Sequence, residues 1–110
     1  MRSRLVVIIE TSVFTRQVRD LLPDEEYRKL QAALVGKPTL GPLIRGSGGL
    51  RKLRWGLPGK GKRGGVRVIY FWAARYDQLF MLLIYPKAER DDLSPSQLKL
   101  LRKMVEEEYR

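Results

Sequence analysis

The sequence predicts an α+β fold with the element order β-α-α-β-β-β-α: a mainly antiparallel sheet, an N-terminal helical hairpin and a C-terminal helix. Three observations predict it. Two helical patterns follow a short apolar run, two long apolar runs (66–73 and 79–85) are joined by a turn, and a capped helical pattern begins at Ser94. The 110 residues suit one domain, so we expect residues 1–110 to form a single unit.

The first half of the chain predicts one strand and two helices. Residues 5–9 are apolar and mostly β-branched without alternation, which is typical of a buried strand. Thr11 or Ser12 can cap the first helix. Pro23 opens the second helix, whose first turn holds three acids that the helix dipole favours, and Gly36 ends it.

The second half predicts the remaining strands. Residues 36–49 hold five of the ten glycines and form a connecting loop. Residues 50–55 alternate, so Lys52 and Arg54 share one face of a strand. A glycine-rich hairpin loop at 56–65 leads to the two long apolar runs, which we expect to be the central strands.

The last helix is the clearest element. Ser94 is a favourable N-cap, Pro95 takes the first helical position and Gln97 completes a capping box. The acids at 106–108 oppose the helix dipole and predict a frayed C-terminal end. The expected buried stripe consists of Leu98, Leu101 and Val105.

The positive charge is concentrated in one stretch. From Tyr27 to Tyr76 there are fifty residues with no Asp or Glu and twelve Lys or Arg, in a chain with a net charge of +10. Concentrated like charge repels itself, so a polyanionic partner is the economical explanation, and nucleic acid is the commonest one.

Two absences limit the chemistry. The chain has no cysteine and no histidine, which excludes disulfides, the usual zinc sites, a histidine base and a cysteine nucleophile. We therefore expect no metal and no cofactor. The apolar run at 5–9 is too short for a signal peptide, and no run approaches a membrane span, so we expect a reduced cytoplasmic setting.

Several polar residues lie on the predicted strand pair. Lys52 and Arg54 share a face of one strand, and Arg67 and Tyr70 lie on the next. Strict alternation puts Arg67 and Tyr70 on opposite faces, so both reach one site only near a strand end or a bulge. The third strand closes with Tyr85 and Lys87.

Three segments carry a resemblance to a known family. Residues 48–54 (GGLRKLR), 64–70 (GGVRVIY) and 83–87 (LIYPK) resemble the core of the RelE/HigB toxins, which belong to the RelE/ParE superfamily of bacterial type II toxin–antitoxin systems. The resemblance spans essentially the whole chain. The approach KGKRGG at 60–65 is typical of the HigB-like branch.

The resemblance implies a RelE-like fold and a ribosome-dependent endoribonuclease. Such a toxin cleaves translated mRNA in the A site by metal-free attack of a ribose 2′-OH, and it thereby inhibits translation. The implied partners are the 70S ribosome, mRNA and a cognate antitoxin of helix-turn-helix type.

The chemistry needs a base, stabilisation of a phosphorane-like transition state and an acid for the leaving 5′-oxygen. In the absence of histidine, Lys52 is the expected base, which neighbouring cations would keep neutral more easily. Arg67 would bind the scissile phosphate, Arg54 would be a second clamp, and Lys87 is the candidate acid. The expected RNA-binding residues are Arg51, Lys60, Lys62, Arg63, Tyr70, Tyr85 and Arg90.

The sequence also departs from the family pattern. Ala88 and Ser94 stand where the best-known member has a functional Arg and Tyr, and Arg90 is the candidate substitute for the first. The neighbouring acids Asp91 and Asp92 are interpreted as surface charge. Two other functions remain open: a ParE-like inhibitor of DNA gyrase, and a non-catalytic basic RNA-binding domain.

Overall fold

The predicted α+β class and element order are confirmed in a computed structural model, which describes residues 5–59 and 64–109. A short 3₁₀ turn at Ala74–Tyr76 joins the third and fourth strands, and Asp77 ends it with a left-handed φ of 52°. The elements are β1 (Val7–Glu10), α1 (Ser12–Leu21), α2 (Asp24–Gly36), β2 (Leu50–Trp55), β3 (Val66–Ala73), β4 (Gln78–Pro86) and α3 (Pro95–Glu108).

The four strands form one sheet in the order β1-β4-β3-β2. β1 pairs parallel with β4, and the other two pairings are antiparallel. The long apolar strands β3 and β4 are therefore central, as the sequence predicts. Both faces of a central strand can be buried, which explains why these two runs do not alternate.

The sheet separates two apolar cores. On one face, α1 and α2 pack through Phe14, Val18, Leu30 and Leu34. On the other face, which we call the α3 face, the helix α3 contributes its buried residues to a second core. The members of that second core are Leu50, Ile69, Phe80, Leu82, Tyr85, Leu101 and Val105.

Local signals set the helix ends. The Thr11 hydroxyl accepts a hydrogen bond from the Phe14 amide at 3.0 Å, and Ser94 and Gln97 form the predicted capping box of α3. The predicted fraying of α3 is wrong, because the helix continues to Glu108. The ring of Tyr109, just after it, packs against three aromatic rings and anchors the end of the helix. No helix in residues 5–59 and 64–109 is long and apolar enough to span a membrane.

Candidate functional site

Strand register brings three basic residues to the α3 face. Arg54 lies opposite Arg67 in the β2–β3 pairing, and Lys52 is two residues before Arg54 on the same face. We call Lys52, Arg54 and Arg67 the cationic cluster. The sequence predicts this convergence, because a hairpin between two adjacent strands makes their alternation coincide.

Arg67 is the buried member of the cluster. Its Nε donates to Oδ1 of Asp91 at 3.2 Å, and its Nη1 donates to the carbonyl of Val66 at 3.4 Å. A guanidinium keeps its charge when buried, so it needs such acceptors. The hydrogen bond from Arg67 lowers the pKa of Asp91 below its ordinary value of 3.8, and the positive charge of Lys52 acts in the same direction.

Lys52 also contacts an acid from the segment between β4 and α3. Its Nζ lies 2.5 Å from Oδ1 of Asp92 and 3.4 Å from the carbonyl of Asp91. Asp91 and Asp92 are exposed, as their interpretation as surface charge predicts, but both carboxylates also contact the cationic cluster, which the sequence does not indicate. Forty residues separate Lys52 from Asp92, so no local pattern could have indicated the contact.

Two clefts flank these acids. One, of about 400 Å³, is lined by Arg54, Arg67, Lys87 and Asp91. The other, of about 650 Å³, is lined by Lys52, Arg54 and Asp92 together with apolar side chains of the neighbouring loop and of α3. Lys87, the expected acid, thus lies in the same cleft as two members of the cationic cluster.

Gly65 holds the end of the hairpin beside the first cleft. Its carbonyl accepts a hydrogen bond from the Lys87 amide at 2.9 Å. A Cβ at Gly65 would lie 2.7 Å from the carbonyl oxygen of Trp55, which is closer than real Cβ contacts allow. Only glycine therefore lets the ends of β2 and β3 approach this closely.

Tyr70 does not face the cluster, which corrects the expectation that its ring contacts RNA. It lies fully buried on the α1–α2 side of the sheet. Its hydroxyl donates to the carbonyl of Pro38 at 2.7 Å and accepts from the Gly41 amide at 2.9 Å. Burial raises the pKa of Tyr70. The register shift between Ile69 and Tyr70 does not bring it to the face of Arg67.

Tyr85 lies on the α3 face but is also buried, opposite Arg67 in the β3–β4 pairing. Its hydroxyl donates to the carbonyl of Asp91 at 3.2 Å. Burial raises the pKa of Tyr85, and the negative charge of Asp92 acts in the same direction. In this arrangement the ring holds the Asp91 backbone and is not exposed to stack on a base, which corrects the sequence expectation.

The other expected RNA-binding residues are spread out. Arg51 points away from the α3 face, and its Nη1 donates to the carbonyls of Thr39 at 3.3 Å and Gly41 at 2.9 Å. Arg90 is exposed, with Nη2 3.8 Å from Oε1 of Glu89. The expected loop residues lie outside the described part of the chain: they are Lys60, Lys62 and Arg63.

Trp55, the last residue of β2, is partly buried. It packs against the α1–α2 core, and its Nε1 donates to Oε1 of Glu26 at 3.2 Å. In residues 5–59 and 64–109, no group of three or more His, Cys, Asp or Glu side chains lies together as metal ligands would.

The comparisons with known proteins are consistent with each other. A model of the RelE toxin of the RelE/RelB toxin–antitoxin system matches residues 8–109. A mutant of the E. coli toxin RelE in the free state is 14% identical, with a TM-score of 0.59 over 86% of this chain and 90% of that one. The isolated E. coli RelE toxin is 13% identical, with a TM-score of 0.57 over 91% of this chain and 99% of that one. At these identities the two structures show a shared fold.

Proposed function

The chain belongs to the RelE family of toxins from toxin–antitoxin systems, and from that membership we propose that it is an endoribonuclease acting on translated mRNA. It cleaves in the ribosomal A site and thereby inhibits translation. Its substrate complex is the 70S ribosome with bound mRNA. Its inhibitor is the antitoxin, for which we propose a helix-turn-helix protein. Membership of the HigB-like branch stays a prediction from the sequence.

One observation carries the proposal: a buried arginine, an exposed arginine and a lysine share one face of the sheet beside a cleft. Arg67 is buried and its Nη1 donates to the carbonyl of Val66, so its N–H groups are oriented before any substrate arrives. Preorganised donors of this kind stabilise negative charge that develops on a phosphorane-like transition state. Arg54, exposed on the same face, is the second phosphate contact.

The proton transfers fall to lysines on this proposal. Lys52 takes the proton of the ribose 2′-OH, and the oxygen then attacks the adjacent phosphate. Lys87, which lines the cleft with Arg54 and Arg67, gives a proton to the departing 5′-oxygen. The Nζ of Lys52 contacts Oδ1 of Asp92, so this carboxylate lies where the 2′-OH must approach. Asp92 must therefore move away before catalysis.

Binding to the ribosome falls to the basic residues around the site. Arg90, ahead of α3, is proposed to contact phosphate near the cleavage point. Three residues of the predicted hairpin loop are proposed to contact phosphates of ribosomal RNA: Lys60, Lys62 and Arg63. Salt should weaken this attachment, since each phosphate contact releases counterions.

Induced expression followed by primer extension on cellular mRNA tests the proposal. We expect cleavage within translated codons, and we expect it to be lost in Arg67→Lys, which keeps the charge but lacks the planar fork of donors. The matched control is Arg75→Lys, an exposed arginine in the turn between β3 and β4. Intact mRNA with altered plasmid supercoiling would instead indicate a gyrase inhibitor, and unaffected growth a non-catalytic RNA-binding domain.

A further inference from the structure

The acids ahead of α3 contact two of the side chains to which the proposed function assigns the chemistry at the scissile phosphate. We propose that Asp91 and Asp92 form an acidic latch that neutralises the cationic cluster in the free protein and leaves when a polyanion binds. The identification of that polyanion as RNA rests on the proposed function. The latch itself rests on four contacts between the segment and the α3 face.

The contacts engage both side chains and the backbone. Asp92 pairs with Lys52 at 2.5 Å, and Asp91 accepts from Nε of Arg67 at 3.2 Å. The carbonyl of Asp91 accepts from the Tyr85 hydroxyl at 3.2 Å and from Nζ of Lys52 at 3.4 Å. Carboxylate and phosphate oxygens accept the same charge-assisted hydrogen bonds, so the two aspartates are internal substitutes for phosphate.

The two partners of each ion pair differ in exposure. The side chains of Lys52 and Arg67 are only 18% and 6% exposed, whereas those of Asp92 and Asp91 are 79% and 56% exposed. The cations are thus held by the sheet, and the acids reach them from solvent. Ion pairs with such exposed partners contribute little, so a strand of several phosphates can displace them.

The position of the latch links binding to chemistry. Asp91 lines the cleft that holds Arg54, Arg67 and Lys87, and Asp92 lines the neighbouring groove beside Lys52. A polyanion that enters either cleft meets an aspartate. Its phosphate oxygens can replace both carboxylates as acceptors for Lys52 and Arg67. Release of the latch therefore opens the clefts in which the proposed reaction takes place.

Binding measurements on asparagine variants test the latch. The variants are Asp91→Asn, Asp92→Asn and their combination, and the probes are a 2′-O-methyl oligoribonucleotide, which cannot be cleaved, and inorganic pyrophosphate. We expect each substitution to tighten binding by about three-fold, the amount that loss of one competing exposed ion pair allows. Asp92→Glu keeps the charge and should bind like the wild type.

The control separates the latch from net charge. Glu107→Gln removes one negative charge at an exposed position of α3, outside the segment that contacts the cationic cluster. An equal gain of affinity in Glu107→Gln overturns the latch, because the gain is then only a long-range charge effect. Unchanged affinity in both single asparagine variants also overturns it.

Two further outcomes separate the latch from the proposed function. If induced expression leaves cellular mRNA intact but the asparagine variants bind pyrophosphate more tightly than Glu107→Gln, the latch stands and the ribonuclease proposal fails. If Asp91→Asn loses cleavage of ribosome-bound mRNA without any gain in affinity, the carboxylate serves the reaction itself and the latch is refuted. Circular dichroism checks that every variant is folded.

Discussion

Arg54 and Arg67 lie directly opposite each other in the antiparallel pairing of β2 and β3. Like charges in opposite positions of a sheet destabilise it, and Arg67 is buried besides. The fold therefore tolerates an unfavourable pair at the position where two cations could clamp a phosphate. Such a cost is expected where activity, not stability, maintains the residues.

The first prediction concerns Arg54, which should lower the stability of the fold but increase the rate of cleavage. Arg54→Gln should raise the free energy of unfolding by about 0.5 kcal/mol, because it removes the repulsion from Arg67. The same variant should cleave ribosome-bound mRNA more slowly. Urea denaturation and a cleavage assay measure the two effects, with Arg16→Gln on α1 as a control for loss of a surface charge. A less stable Arg54→Gln would mean that the guanidinium makes favourable contacts that outweigh the repulsion.

The second prediction concerns the acid. Lys87→Gln should slow cleavage on the order of 10²-fold, because the departing 5′-oxygen then leaves without a proton. A substrate whose 5′-bridging oxygen is replaced by sulfur has a leaving group that needs no proton, so Lys87→Gln should cleave it as fast as the wild type does. Arg54→Gln should be slow on both substrates. Slow cleavage of the sulfur substrate by Lys87→Gln would assign that lysine to phosphate binding.

The third prediction tests the structural assignment of Tyr70. Tyr70→Phe leaves the Gly41 amide and the Pro38 carbonyl without their partner in the interior, which should cost about 1–3 kcal/mol of stability. The cleavage rate of the folded protein should not change. Tyr76→Phe, on a half-exposed ring, is the control and should change neither quantity. Loss of cleavage with full stability would return Tyr70 to the RNA-binding site.

Strand boundaries could be predicted well where the signal is local. Residues 50–55 alternate between two glycine-rich loops, and residues 66–73 run mostly apolar from the second loop to the turn at 74–77. Both strands have the predicted bounds. The capping box of α3 was equally local. Tyr109 was not predictable as an anchor, because its contacts come from Phe71, Tyr76 and Phe80 on other elements.

In the candidate site, too, local sequence patterns predict some features, and others depend on contacts between distant segments. The shared face of Lys52, Arg54 and Arg67 follows from alternation and one hairpin, so the sequence contains it. Alternation along β3 also places Tyr70 on the face opposite to Arg67. The structure agrees with alternation and not with the role that the family resemblance implies for Tyr70. The ion pairs of Lys52 and Arg67 with Asp92 and Asp91 depend on how the segment after β4 folds back over the sheet. The spacing of residues in the sequence does not predict that path.

The fourth prediction concerns pH. The hydrogen bond from Arg67 lowers the pKa of Asp91 in the folded protein, so the ionised carboxylate stabilises the fold. That contribution is fully present above the ordinary value of 3.8 and is lost as the pH falls through the lowered pKa of the folded state. Asp91→Asn should therefore be less stable than the wild type at neutral pH, and the difference should shrink in acid. The control is Glu107→Gln, on the exposed side of α3, whose difference in stability from the wild type should not shrink in acid. If that difference shrinks as well, the effect is not specific to Asp91.

The fifth prediction concerns the close approach at the base of the hairpin. Gly65→Ala places a Cβ 2.7 Å from the carbonyl oxygen of Trp55, so the ends of β2 and β3 must separate. Overpacking of this kind costs about 1–3 kcal/mol, and the separation should also pull Arg54 away from Arg67 and slow cleavage. Gly56→Ala is a matched control on the same hairpin, because nothing lies within 4 Å of its Cβ position. Thermal unfolding and cleavage rates measure both variants. Equal behaviour of the two would mean that the strand ends can move apart without cost, and the geometry of the cationic cluster would then not depend on Gly65.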